Sequence, residues 1–228
     1  MKEKSKFIES IFFPALFLLV IWGVKVAENL FGFRLGTLGI YPLTVNGIPG
    51  IFFSPLIHGD YSHLFTNSGP LLVLGTTLFY FYRVIAFRLL ALAWLMTGIW
   101  VWFGAREAWH IGSSGLIYAM ASFLFFSGFI RRSVELIAIS LVIVFLYGGM
   151  IWGIFPLRDG ISWESHLMGG IAGFVLAVYY KDYGPQRKKY SWEYEEDDPE
   201  TGEDETAHAF DNQAYDQVDS RTKKGADQ

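Results

Sequence analysis

The chain has 228 residues, 52% of them hydrophobic and 18% aromatic, and several apolar stretches run the length of a membrane-spanning helix. A water-soluble domain of this size rarely carries so much apolar surface, so composition leaves a polytopic, all-α membrane protein as the class. The absence of cysteine excludes disulfides and thiolate metal sites. The net charge of −4 hides a split: residues 190–228 carry 13 acids and 3 bases, and residues 1–189 carry 9 acids and 15 bases.

The basic start (Lys2, Lys4, Lys6) precedes an apolar run from Ile11 to Val24. No small-x-small cleavage site follows it, so a first spanning helix over about 8–28 fits better than a signal peptide, with Lys25 snorkelling at its far end. Residues 31–58 are rich in Gly and Pro but apolar throughout, which predicts a loop embedded beside the helices in the membrane interface. Further spans are expected over about 61–82, 84–105, 113–131, 134–156 and 164–181, with a kink at Ser68-Gly69-Pro70 in the second. These six spans and the loop make a domain of residues 1–185. Residues 186–228 read as an acidic, disordered cytoplasmic tail.

Counting Lys and Arg in the connections gives eleven on the side holding the N-terminus and three on the other (Arg34, Arg106, Arg158). Both termini are therefore expected in the cytoplasm. That topology sends the second, fourth and sixth spans inward from the outer face. His63 and Asn67, Ser114, and His166 then begin those three spans at one depth.

Polar residues at such a depth cost free energy unless partnered, and intramembrane ionisable groups are functional suspects. Each histidine could simply hydrogen-bond a neighbouring helix. Together they can do more. A serine hydroxyl needs a base, and His166 is a candidate. The oxyanion of a tetrahedral intermediate needs donors. Ser114 opens a helix and has a free N–H, and His63 and Asn67, four residues apart, share a face. Tyr118, one turn after Ser114, can pack on the His166 ring. Gly169 and Gly173 form a thin stripe below His166, and Gly112 and Gly115 thin the start of the fourth span. If these faces meet, Ser114 and His166 come within reach. His58 reads as a loop anchor. His110 could line a water entrance or sit at the interface. A metal or haem site on His58, His63, His110 and His166 is the competing reading, weakened by the scarcity of carboxylates in the spans.

Three motifs carry a resemblance. Gly112-Ser113-Ser114-Gly115, His166-Leu-Met-Gly169-Gly-Ile-Ala-Gly173 and His58…His63…Asn67 resemble the Gly-x-Ser-Gly, His-x-x-Gly-x-x-x-Gly and His-x4-His-x3-Asn of bacterial rhomboid intramembrane serine proteases. The resemblance implies a six-transmembrane-helix rhomboid-like bundle in a bacterial inner membrane and a Ser114–His166 dyad with no third acidic residue. It also implies an oxyanion hole from His63, Asn67 and the Ser114 backbone. Transmembrane proteins would be the substrates, the lipid bilayer the surroundings, and no metal, cofactor or nucleic acid would take part. A catalytically inactive relative that binds transmembrane helices is the alternative. The Trp-Arg pair of many members' first loop is absent here.

Overall fold

Helix α1 (Glu3–Phe31) runs for 29 residues through Pro14, whose ring nests against Gly75 of the helix α3 (Tyr61–Phe81), where there is no side chain. A Cβ on Gly75 would meet Pro14 Cγ at 2.9 Å, so that glycine lets the two helices cross. The computed structural model describes residues 3–146, 152–156 and 160–184. The expected acidic tail, residues 147–151 within the fifth expected span and Arg158 lie outside the described residues; the end of that span is not α-helix but a 3-10 turn at Trp152–Ile154.

The remaining helices are α2 (Gly50–Phe53), α3 (Tyr61–Phe81), α4 (Ala86–Gly104), α5 (Ser114–Arg131), α6 (Val134–Leu146) and α7 (Trp163–Tyr179). Among the described residues three helices, α1, α4 and α5, are long and apolar enough to cross a membrane. α3 has the length, but its first half carries His63, Thr66, Asn67 and Ser68. Of the apolar window in α5, 67% is buried inside the protein, against 17% in α1. α5 is therefore the central helix, and α1 leaves its outer face to lipid. Leu64, Leu74 and Leu78 of α3, Leu89 and Ala93 of α4, Phe123 and Leu124 of α5 and Ala177 of α7 fill the space around it.

α5 and α7 touch backbone to backbone. A Cβ on Gly169 would strike the Gly115 carbonyl, and one on Gly173 the Ala119 carbonyl. Without a hydrophobic drive between helices in lipid, this close packing is the form their attraction takes. At the opposite end from Ser114, Tyr82 and Ser127 share a 2.6 Å hydrogen bond. Arg131 there donates to Ser127 at 3.1 Å, to the Tyr180 carbonyl at 2.7 Å and to the Tyr183 carbonyl. Arg131 ends α5 as its charge suggests, yet its side chain is buried and clamps the end of α7.

Residues 32–60 hold α2 and short 3-10 turns at Leu35–Leu38, Val45–Gly47 and Ser54–Leu56. Tryptophans of α4 tether this loop. Trp94 Nε1 donates to the Ile51 carbonyl at 2.9 Å and Trp102 Nε1 to the Thr44 carbonyl at 2.9 Å. Ile40 and His110 exchange two backbone hydrogen bonds of 2.9 and 2.8 Å, tying the loop to the turn before α5. Lys25 does not snorkel outward. It donates to Glu28 at 2.8 Å and to the His58 and Gly59 carbonyls at 3.0 and 2.9 Å. Three acceptors match the three hydrogens of its ammonium, which offsets the cost of turning it away from water.

Candidate active site

Gly112 has φ of +106°, a conformation L side chains rarely adopt, and a Cβ there would lie 2.7 Å from His63 Cε1. Glycine thus lets the chain turn sharply into α5 and lets an imidazole lie against the turn. Ser114 is the first residue of α5, so its N–H has no intrahelical acceptor.

His166, in the second turn of α7, faces it. His166 Nε2 lies 2.8 Å from Ser114 Oγ, and His166 Nδ1 lies 2.8 Å from the Gly153 carbonyl oxygen. A carbonyl only accepts, so the proton sits on Nδ1 and Nε2 is left to accept from the serine hydroxyl. The Tyr118 ring stacks on the imidazole at 4.2 Å and 9°. The thin faces of α5 and α7 meet at Gly115 and Gly169, which brings the two side chains into range. Gly115 also lies between neighbours: a Cβ there would meet Thr97 Cγ2 of α4 at 2.9 Å and the Ser165 carbonyl of α7 at 3.1 Å.

Beyond Ser114 lies the start of α3. Asp60 caps it, accepting from the His63 N–H at 2.7 Å, and this bond holds its carboxyl below the usual carboxylate range. The His63 ring and Asn67 line the same cleft as Ser114 and His166, a volume of about 1460 Å³. His58 lies behind them, with Nε2 at 3.2 Å from both Asn67 Nδ2 and Ser113 Oγ. Burial, aided by the neighbouring His63, pushes the His58 imidazole down to about 3, so it is neutral at ordinary pH.

His110 makes different contacts. Its Nε2 donates to the Arg106 carbonyl at 3.0 Å and its Nδ1 accepts from Ser162 at 2.6 Å. It therefore fastens the turn before α5 to the start of α7, and burial lowers its pKa. Glu164 is buried beside that joint, 3.4 Å from the Arg106 guanidinium. With two ring nitrogens each of His110 and His166 already engaged, the four histidines do not converge. Among the described residues no group of three His, Cys, Asp or Glu could hold a metal ion.

The sequence reading missed Gly153, because no periodicity or motif relates it to a histidine 13 residues later. Ser113, which precedes Ser114, reaches His58 with both its hydroxyl and its N–H.

Fold and site define a helical integral membrane protein in which a serine and a histidine from two closely packed helices meet in a polar cleft. A family model described as "Rhomboid domain" matches residues 46–183. Uncharacterized proteins of Mycobacterium tuberculosis and Mycobacterium bovis are each 36% identical over 184 residues, covering 75% of this chain and 75% of theirs. One of Mycobacterium leprae is 32% identical over 189 residues, covering 75% of this chain and 71% of its own. The chain belongs to the rhomboid family.

Proposed function

We propose that this protein is an intramembrane serine endopeptidase that cleaves transmembrane protein substrates in or near their spans with a Ser114–His166 dyad. The observation that carries the reading is the 2.8 Å approach of His166 Nε2 to Ser114 Oγ, with Nδ1 committed to Gly153. As Oγ attacks the scissile carbonyl, Nε2 takes its proton, and His166 returns that proton to the leaving amine. The negative oxygen of the tetrahedral intermediate falls beside the Ser114 N–H, the His63 ring and the Asn67 amide, at the positive end of α5. Water then repeats the attack on the acyl-enzyme, with His166 again as base. No acidic third member is needed, because the Gly153 carbonyl fixes the tautomer and Tyr118 holds the ring plane.

The substrate helix must unwind locally, since a helical carbonyl is hydrogen-bonded and shielded. In this reading the domain of residues 1–185 crosses the bilayer six times with both termini in the cytoplasm, and the site opens to the outer face of a bacterial inner membrane. The loop of residues 31–58 lies in the outer leaflet, and residues 186–228 form an acidic cytoplasmic tail. The test is cleavage of a co-expressed single-span reporter together with labelling by a fluorophosphonate probe. Ser114→Ala and His166→Ala are each expected to abolish cleavage while leaving the folded protein in the membrane, and Ser114→Ala to abolish labelling. Retained cleavage in either variant overturns the dyad.

A further inference from the structure

The buried imidazole of His58 touches two of the side chains placed around the oxyanion, Asn67 and His63, and also Ser113, the residue before Ser114. Its Nε2 lies 3.2 Å from Asn67 Nδ2, 3.2 Å from Ser113 Oγ and 3.4 Å from the Ser113 backbone nitrogen, and its ring meets that of His63 edge-on at 5.1 Å. Ser113 N–H is a backbone donor whose role cannot be reversed. An N–H on Nε2 would oppose it, so Nε2 is the acceptor and the ring proton is on Nδ1. Lys25 donates to the His58 and Gly59 carbonyls, so the backbone beneath the ring is fixed as well.

This protonation state has a consequence for Asn67. An asparagine can present either its oxygen or its NH2 group to a neighbour, and the neighbour decides which. An accepting Nε2 demands the NH2 group. That group has a second hydrogen with no protein acceptor among the described residues, and Nδ2 lies on the Gly112 side of the cleft, 3.8 Å from where a Cβ on Gly112 would stand. With the amide reversed, Oδ1 would occupy that place and set its lone pairs against the developing negative charge.

We infer that His58 is a positioning residue that locks the Asn67 amide with its NH2 group facing the oxyanion, acting through Asn67 and never touching substrate. The inference rests on the protease reading above. The expected signature is a fall in kcat with KM unchanged, because the contact matters only when charge develops on the substrate oxygen.

The experiment compares His58→Phe and His58→Met, which fill the space without an acceptor, with His58→Gln, whose side-chain oxygen restores one. All are made in the full chain, alone and with Asn67→Ala, and assayed by reporter cleavage in detergent alongside thermal unfolding. Losing one of several oxyanion donors is expected to lower kcat by about 10- to 100-fold in the Phe and Met variants, with Gln within a few-fold of wild type. On the Asn67→Ala background all three should cleave alike. Wild-type kcat in a folded Phe or Met variant overturns the inference, as does His58→Gln cleaving no better than they do. Losses from His58→Phe and Asn67→Ala that multiply in full overturn it too. Should Phe and Met both fail to fold, the Gln variant with and without Asn67→Ala decides: a loss that persists on the Asn67→Ala background rejects it. Wild-type cleavage that survives Ser114→Ala is a different result, which removes the protease reading itself.

Discussion

The ring of Tyr118 lies 4.2 Å from that of His166, centroid to centroid, with 9° between their planes. Tyr118 stands one turn after Ser114 on α5, so the helix that carries the hydroxyl also carries the surface on which its partner rests. Ring stacking contributes roughly 0.5–1.5 kcal/mol beyond area burial. Tyr118→Leu is therefore expected to lower kcat by about 3- to 10-fold, and Tyr118→Phe, which keeps the stack, by less. Steady-state cleavage of the reporter ranks the two; Leu at or above Phe would contradict the stacking role.

Neighbouring glycines of α7 make opposite predictions. Ala at Gly173 drives its Cβ into the Ala119 carbonyl, and Ala at Gly169 into that of Gly115, whereas nothing lies within 4 Å of a Cβ on Gly170. Overpacking costs about 1–3 kcal/mol, so Gly173→Ala and Gly169→Ala should lower the unfolding temperature in detergent. Gly169→Ala should also lower cleavage, because it pushes His166 away from Ser114. Gly170→Ala should be neutral or slightly stabilising, since a helical alanine is favoured over glycine by roughly 0.5–1 kcal/mol. Equal effects at all three positions would mean that the α5–α7 contact is not what these glycines serve.

Gly112→Ala combines a strained φ with a Cβ 2.7 Å from His63 Cε1. The His63 ring must move, and in the proposed mechanism the oxyanion loses a donor. Cleavage is expected to fall at least about 10-fold, since a single such donor is worth more than that in comparable sites. Fluorophosphonate labelling should slow in parallel. A fully active Gly112→Ala enzyme would remove His63 from the oxyanion site.

Stability should fall with acid. His58 is held neutral down to about pH 3 by burial, and burial lowers His110 in the same direction. In the unfolded chain both take up a proton near pH 6.5, so below that value the unfolded state binds more protons and is favoured. The contribution is intact above about 6.5 and erodes as pH falls toward 3. The slope reaches about 1.4 kcal/mol per pH unit for His58. Unfolding in detergent between pH 4.5 and 7.5 measures it, and His58→Gln should flatten the curve. An unchanged slope in that variant would place the acid sensitivity elsewhere.

Much of the frame was legible because membrane sequences are written in simple terms. Apolar runs and charged stops locate α1, α4 and α5, and the i, i+3, i+7 spacing of His166, Gly169 and Gly173 puts a histidine and a thin stripe on one helix face. Partnerships across the fold were not legible in the same way. Lys25 reads as a snorkelling end, yet it reaches inward, because the loop folds its His58 and Gly59 carbonyls back over α1. Arg131 reads as a stop signal, yet the end of α7 offers it backbone acceptors.

The sequence by itself determined the class, the order of the helices and the residues able to do chemistry, since hydropathy and helical periodicity are local properties. Only the tertiary structure decided which atom faces which. The Gly153 carbonyl that fixes the His166 tautomer, and the His58 nitrogen that faces Asn67, come from segments with no periodic relation to their partners. A hydrogen bond depends on distance and direction to within a few tenths of an ångström, and those are set when α3, α5 and α7 pack.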